Sequence, residues 1–137
     1  MSDTAAKPRP QFRNIGLAQI ASYRLPLPGK LSILHRVSGA LLFVCLPLVI
    51  LPLFAASVAS PQTFAAVAAY AGNPIVKLVL LVLIWGYLHH FCAGIRYLVL
   101  DLHVGLDKQS AKKSAGVVFG VSLALTVVFA LKLFGVL

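Results

Sequence analysis

The sequence predicts an all-α integral membrane protein with three transmembrane helices, and three observations predict it. The 137 residues are 60% apolar and only 11% charged, whereas a soluble domain is about a quarter charged. No charged residue occurs between Val37 and Val76. The 12 Lys and Arg, which against 3 Asp and Glu give the formal +9, gather at the ends of apolar segments. A basic protein made for nucleic acid or for disorder would be poor in Leu, Val and Phe. Nucleic acid is therefore excluded as a partner, and the charge reads as basic flanks on a chain held in a lipid bilayer. A crossing takes about 20 residues, so three crossings and a tail fill the length. A transporter built from internal repeats would need more chain. Cys45 and Cys92 lie inside apolar runs and read as small buried hydrophobes, with no disulfide framework implied.

Residues 1–30 form a tail rich in proline and basic side chains (Lys7, Pro8, Arg9, Pro10, Arg13, Arg24, Pro26, Pro28, Gly29, Lys30). Its prolines discourage a continuous helix, and it lacks an apolar core of signal-peptide type. The first apolar run begins too late and lasts too long for a cleaved signal, so it is expected to be retained. Residues 31–137 are expected to form the three-helix membrane unit. The charge-free stretch Val37–Val76 would be roughly twice a bilayer core in length if it were one helix, so the chain must turn within it. The turn is expected between Ala56 and Pro61, with Ser60 as N-cap and Pro61 at the first helical position. A short helix over Phe64–Ala71 then lies at the outer interface and ends at Gly72-Asn73-Pro74.

The three membrane helices are thus expected at about 32–57, 75–100 and 114–134. Pro47 and Pro52 should bend the outer half of the first. Trp85 and Tyr87 fall mid-span in the second, as packing residues facing protein or cofactor. A polar loop containing Asp107, Lys108, Lys112 and Lys113 separates the second helix from the third, in which Gly116, Gly120, Ser122 and Ala124 offer small-residue packing surfaces. Ten basic residues flank one side (Lys7, Arg9, Arg13, Arg24, Lys30, Arg36, Arg96, Lys108, Lys112, Lys113) and two the other (Lys77, Lys132). That bias places the N-terminus in the cytoplasm and the C-terminus in the periplasm.

Polar groups at membrane depth cost a few kcal/mol each on insertion scales and call for a reason. Here they gather in two places. One is Ser32-Ile33-Leu34-His35-Arg36-Val37-Ser38-Gly39, where Ser32, Arg36 and Gly39 share a helix face and His35 and Ser38 lie to its side. The other is His89-His90-Phe91-Cys92-Ala93-Gly94-Ile95-Arg96-Tyr97, extending to Asp101. In it His90, Gly94, Tyr97 and Asp101 form one stripe, while His89, Ala93 and Arg96 form a second about 100° away. The two helices are antiparallel, so both clusters reach the same membrane side.

A neutral buried imidazole is a good haem-iron ligand, and a flat apolar macrocycle suits a gap between helices. Gly94, one turn from His90, removes a side chain where such a ring would approach, which favours His90 over His89. Arg36, Arg96 and His35 are available to two propionates. The plainer reading stands beside it: membrane histidines often bond one helix to another, and arginines at a boundary often snorkel. By position alone, Asp101 is a salt-bridge partner or a proton relay.

These two segments resemble the cytochrome b subunit of succinate dehydrogenase, the larger of its two membrane anchors. Ser32-Ile33-Leu34-His35-Arg36-Val37-Ser38-Gly39 is similar to the family's S-x-x-H-R-x-S-G signature. His90, Gly94-Ile95-Arg96 and Asp101 are similar to its H-x-x-x-G-I-R-H-x-x-x-D signature, with Tyr97 in place of the second histidine. Arg9-Pro10 and Arg24-Leu25-Pro26-Leu27-Pro28 fit bacterial members, and the likeness covers essentially the whole chain. It implies half of a heterodimeric helical bundle in a bacterial inner membrane, with haem b shared between this chain and a second three-helix anchor subunit. It further implies His90 as axial iron ligand, His35 and Arg36 at the propionates, and Ser32 and Arg36 at a ubiquinone pocket. An iron–sulfur subunit completes that pocket, and a flavoprotein subunit oxidises succinate. His89 has no ligand role in that pattern and is left as packing or a secondary contact.

On this reading Ser32 donates a hydrogen bond to a quinone oxygen, and Arg36 offsets the negative charge that develops there. The anchor of a related fumarate reductase and a membrane scaffold without redox function are the alternatives.

Overall fold

A computed structural model describes residues 14–136 of the chain; Lys7, Arg9, Pro10 and Arg13 of the expected tail lie outside the described residues. Among the described residues there are helices and no strands. A short helix, α1 (Leu17–Ser22), precedes α2 (Leu27–Cys45), a π segment (Leu46–Ile50) and α3 (Leu51–Ala59). The last three run together as one apolar helix, Leu27–Ala59, the first of three long enough to cross a membrane. It starts earlier than expected. Pro26 is its N-cap and Pro28 sits in its first turn, where a missing N–H costs nothing because no intrahelical partner exists for it. The prolines read as helix breakers are the ones that open the helix.

Pro47 and Pro52 each occupy the second position of a segment, Pro47 in the π turn and Pro52 in α3. A proline cannot return a hydrogen bond to the preceding turn, and its ring crowds the carbonyl four residues back. The chain answers by widening: Leu51 N–H bonds Leu46 O, five residues back, just before Pro52.

Ser60 stops this helix with an extended backbone and caps the next, α4 (Pro61–Gly72), by accepting from Thr63 N–H at 3.1 Å. Asn73 ends α4 and caps α5 (Pro74–Asp101), accepting from Ile75 N–H at 2.9 Å. After α5 the chain reverses through His103 and Gly105, both at positive φ. Asp107 then caps α6 (Lys108–Leu133), accepting from Gln109 and Ser110 N–H at 3.1 and 3.0 Å. The Lys108–Lys113 stretch, expected as loop, is therefore the first turns of the third membrane helix, because Asp107 supplies the partners that its free N–H groups need. Hydrogen bonds from Ser110 and then Gln109 hold the Asp107 carboxyl below the usual carboxylate range.

The three long helices meet near the end that carries Arg96 and Lys112. Leu31 of α2, Ala93 of α5, and Ala115 and Val118 of α6 form the buried core there. Two alanines at the crossing let the backbones approach closely. On α6, Ser122 is buried and Gly116 half-buried against α2 Leu27, while Gly120 and Ala124 face outward, so only half of the expected small-residue surface packs within this chain. Elsewhere the large apolar side chains point away from the protein; Phe43 is 79% exposed and Leu48 71%. A water-soluble fold cannot present that surface; a chain bounded by lipid or by other apolar helices can.

Candidate functional site

The site forms where α2 and α5 cross. Gly39 faces His90 so closely that a Cβ at position 39 would stand 2.8 Å from His90 Cε1. Only a glycine admits the imidazole there. The His90 ring lies against α2 with Nδ1 3.0 Å from the His35 carbonyl oxygen and 3.3 Å from Ser38 Oγ. A carbonyl can only accept, so Nδ1 carries the proton and donates it. Ser38 Oγ–H is itself given to the same carbonyl, at 3.0 Å. The lone pair of His90 therefore resides on Nε2. A backbone carbonyl that holds one ring nitrogen as N–H and frees the other is the usual arrangement behind a metal-binding histidine.

The His35 ring stacks on His90, with centroids 4.2 Å apart and planes within 3°. Tyr97 tilts against the other side of His35 at 5.0 Å. A Cβ at Gly94 would lie 3.9 Å from His35 Nε2, so within this chain the glycine opens space beside His35. Thus His35, His90 and Gly94 come together as expected, and Tyr97 joins them. On α2, Arg36 lies about one turn and Ser32 about two turns before Gly39, Ser32 half-buried and Arg36 exposed. Neither side chain hydrogen-bonds any described residue.

Arg96 does not join this cluster. It is buried and turned to α6, donating from Nε to Ser114 Oγ at 2.9 Å and from Nη2 to the Ala111 carbonyl at 3.2 Å. Its guanidinium also lies 5.6 Å from the Tyr97 ring centroid. The guanidinium expected at the propionates is engaged here in a tie between α5 and α6. Asp101, at the end of α5, is exposed and makes no ion pair among the described residues. His89 is fully buried between Trp85 and Phe119, on the α6 side of α5 and away from His90. Trp85 therefore packs against protein as expected, whereas Tyr87 is exposed and stacks with Phe91.

Beyond His90, away from Ser32, an apolar groove of about 540 Å³ opens between α2 and α5, lined by Leu42, Leu46, Ile50, Leu83 and Tyr87 among others. The π segment contributes two of those walls.

Residues 7–129 match the succinate dehydrogenase/fumarate reductase transmembrane subunit family. The chain belongs to this family. It is 32% identical over 103 residues to the succinate dehydrogenase cytochrome b556 subunit of Coxiella burnetii, covering 75% of this chain and 82% of that one. It is 33% identical over 105 residues to the protein of the same name from Paracoccus denitrificans, covering 77% of this chain and 80% of that one. The resemblance seen in the two signatures therefore extends along the membrane helices, and the chain is a membrane subunit of a complex in this family.

The residues of this anchor subunit fit haem. His90 has the tautomer a ligand needs, and Gly39 forms a cradle that any side chain would fill. The sequence reading missed the role of Gly39, which it placed only on the Ser32–Arg36 face, and of Ser38, which shares the His35 carbonyl with His90. The signal was there in outline: both belong to the Ser-x-x-His-Arg-x-Ser-Gly segment, and a glycine opposite an imidazole is the helix-packing counterpart of the argument applied to Gly94.

Proposed function

We propose that this subunit carries haem b between itself and a second three-helix anchor, and that it contributes to a ubiquinone site through which electrons from succinate enter the membrane. The observation that carries the proposal is the His90 imidazole, fixed through Nδ1–H to the α2 backbone with Nε2 left as a donor to iron. Bound there, the haem supplies a one-electron site whose potential is set by its ligands, burial and propionate partners. His35 and Arg36 provide N–H donors for the propionates. Ser32 Oγ–H donates to a quinone carbonyl oxygen, and the Arg36 cation offsets negative charge growing on that oxygen. Asp101, exposed at the same end, accepts and passes protons.

The ten-to-two basic bias supports an N-terminus on the cytoplasmic side of a bacterial inner membrane. An iron–sulfur subunit and a flavoprotein then dock on the side where Ser32, Arg36 and Asp101 are presented.

Two variants test this in the assembled complex. His90→Leu should abolish the bis-imidazole spectrum of the reduced haem; an unaltered spectrum excludes His90 as ligand. Arg36→Leu should depress quinone reduction while succinate oxidation by a soluble artificial acceptor persists. Equal quinone reductase activity in variant and parent would refute the role of Arg36.

A further inference from the structure

Buried polar groups in a membrane helix layer need partners, and one cluster has none from the protein. Both ring nitrogens of His89 and the indole Nε1 of Trp85 are enclosed and unpartnered among the described residues. The two rings are neighbours on one face of α5, with centroids 5.3 Å apart. His89 is 0% exposed, so neither a cofactor, a lipid nor a partner chain reaches it. Leaving such groups unpaired costs about 1–3 kcal/mol each. Something small must answer them from inside.

There is room for it. Gly86 is buried, yet a Cβ built on it would meet no atom within 4 Å apart from its chain neighbours and its own helix backbone. Gly86 lies three residues before His89 and next to Trp85, so the gap adjoins both orphaned groups. The facing helix adds a polar wall. The Arg96–Ser114 bond and the His89–Phe119 contact set the antiparallel register of α5 and α6, which brings Ser122 level with the Gly86–His89 turn. Ser122 is 0% exposed, and its hydroxyl proton goes to the Phe119 carbonyl at 3.2 Å. Its oxygen is left as an acceptor.

We infer that the gap walled by Trp85, Gly86 and His89 of α5 and by Ser122 of α6 is a hydration site that holds ordered water in the middle of the layer. Water accepts from Trp85 Nε1–H, donates one proton to the imidazole nitrogen facing it, and donates the other to Ser122 Oγ, while the second imidazole nitrogen, as N–H, is left to the Leu31 carbonyl of α2. Three bonds are the usual complement of an internal water. The site stiffens the turn of α5 that leads into His90 and ties it to α6, independently of what His90 itself binds.

The single tryptophan of the chain gives a direct readout in the complex purified with its natural subunits. The ultraviolet resonance Raman difference between parent and Trp85→Phe isolates the Trp85 indole, and a hydrogen-bonded N–H is expected. A free N–H in the parent overturns the inference. Gly86→Ala separates a wet gap from a dry one by sign. Displacing water strands the indole and the imidazole, so Tm should fall and the indole N–H should become free. Filling a dry gap with a better helix former leaves Tm equal or higher, and that result overturns the inference as well.

Discussion

Replacing Gly39 with alanine tests the geometry of the candidate site most directly. The new Cβ would stand 2.8 Å from His90 Cε1 and 3.3 Å from Nδ1. Non-bonded carbons rest at about 3.5 Å or more, so the ring must retreat by about 0.7 Å. Retreat from α2 lengthens the Nδ1–H bond to the His35 carbonyl from 3.0 Å to about 3.7 Å, beyond hydrogen-bonding range. Overpacking and the lost bond together cost about 1–3 kcal/mol, against a helix-propensity gain from Gly to Ala of about 1 kcal/mol. The net loss is about 0–2 kcal/mol, a range that many substitutions share, so the ligand is the decisive readout. The assay is haem content per protein and the reduced-minus-oxidised spectrum of the complex, with Gly120→Ala as control, since a Cβ there meets nothing within 4 Å. Gly39→Ala should lower haem content or broaden and shift the bands while the control matches the parent. Parent-like haem content and spectrum in Gly39→Ala would refute the argument that this glycine seats His90.

Two further outcomes follow from the helix ends and the α5–α6 tie. Arg96→Ala removes the bonds to Ser114 and Ala111 and should cost about 2 kcal/mol, in the range for hydrogen bonds from a charged group. Thermal denaturation should show a lowered Tm with the haem spectrum retained, and a lost spectrum would place Arg96 at the propionates after all. Asp107 has a depressed carboxyl pKa in the folded chain, so its stabilising contribution is complete above the unfolded carboxylate pKa. That contribution is lost as pH falls through the lower, folded value. Asp107→Asn keeps a capping oxygen without the charge; its Tm should fall less than that of the parent on acidification, and parallel Tm–pH curves would contradict this.

The sequence was most legible where one physical rule acted alone. The charge-free run to Val76, the Ser60-Pro61 start and the Gly72-Asn73-Pro74 stop located α4 and the entry to α5 because capping chemistry is local. Rules that compete were harder to read. Pro26 and Pro28 break a helix interior but open a helix start, and Lys108–Lys113 look like loop until Asp107 is recognised as their cap. The site shows the same division. Helical periodicity correctly separated His90, Gly94 and Tyr97 from His89, Ala93 and Arg96, and each set shares a face of α5. What periodicity cannot state is which neighbour each face meets. The first stripe faces α2 except for exposed Asp101, and the second, buried at all three positions, faces α6. Arg96 was offered to the propionates for its charge, whereas its stripe turns it to Ser114 and Ala111 of α6.

The acceptor that orients His90 is a main-chain oxygen, and this bears on how the site tolerates genetic change. No point substitution can delete a carbonyl, so the restraint on the imidazole survives most replacements of His35 itself. The vulnerable positions are the small ones that let the two backbones meet. In a saturation mutagenesis map, sensitivity should thus peak at Gly39 and His90 and be muted at position 35 for every property that depends only on imidazole orientation. Selection on the side chain at 35 then answers to what its own ring contacts, while the register of α2 against α5 is held by Gly39 and His90.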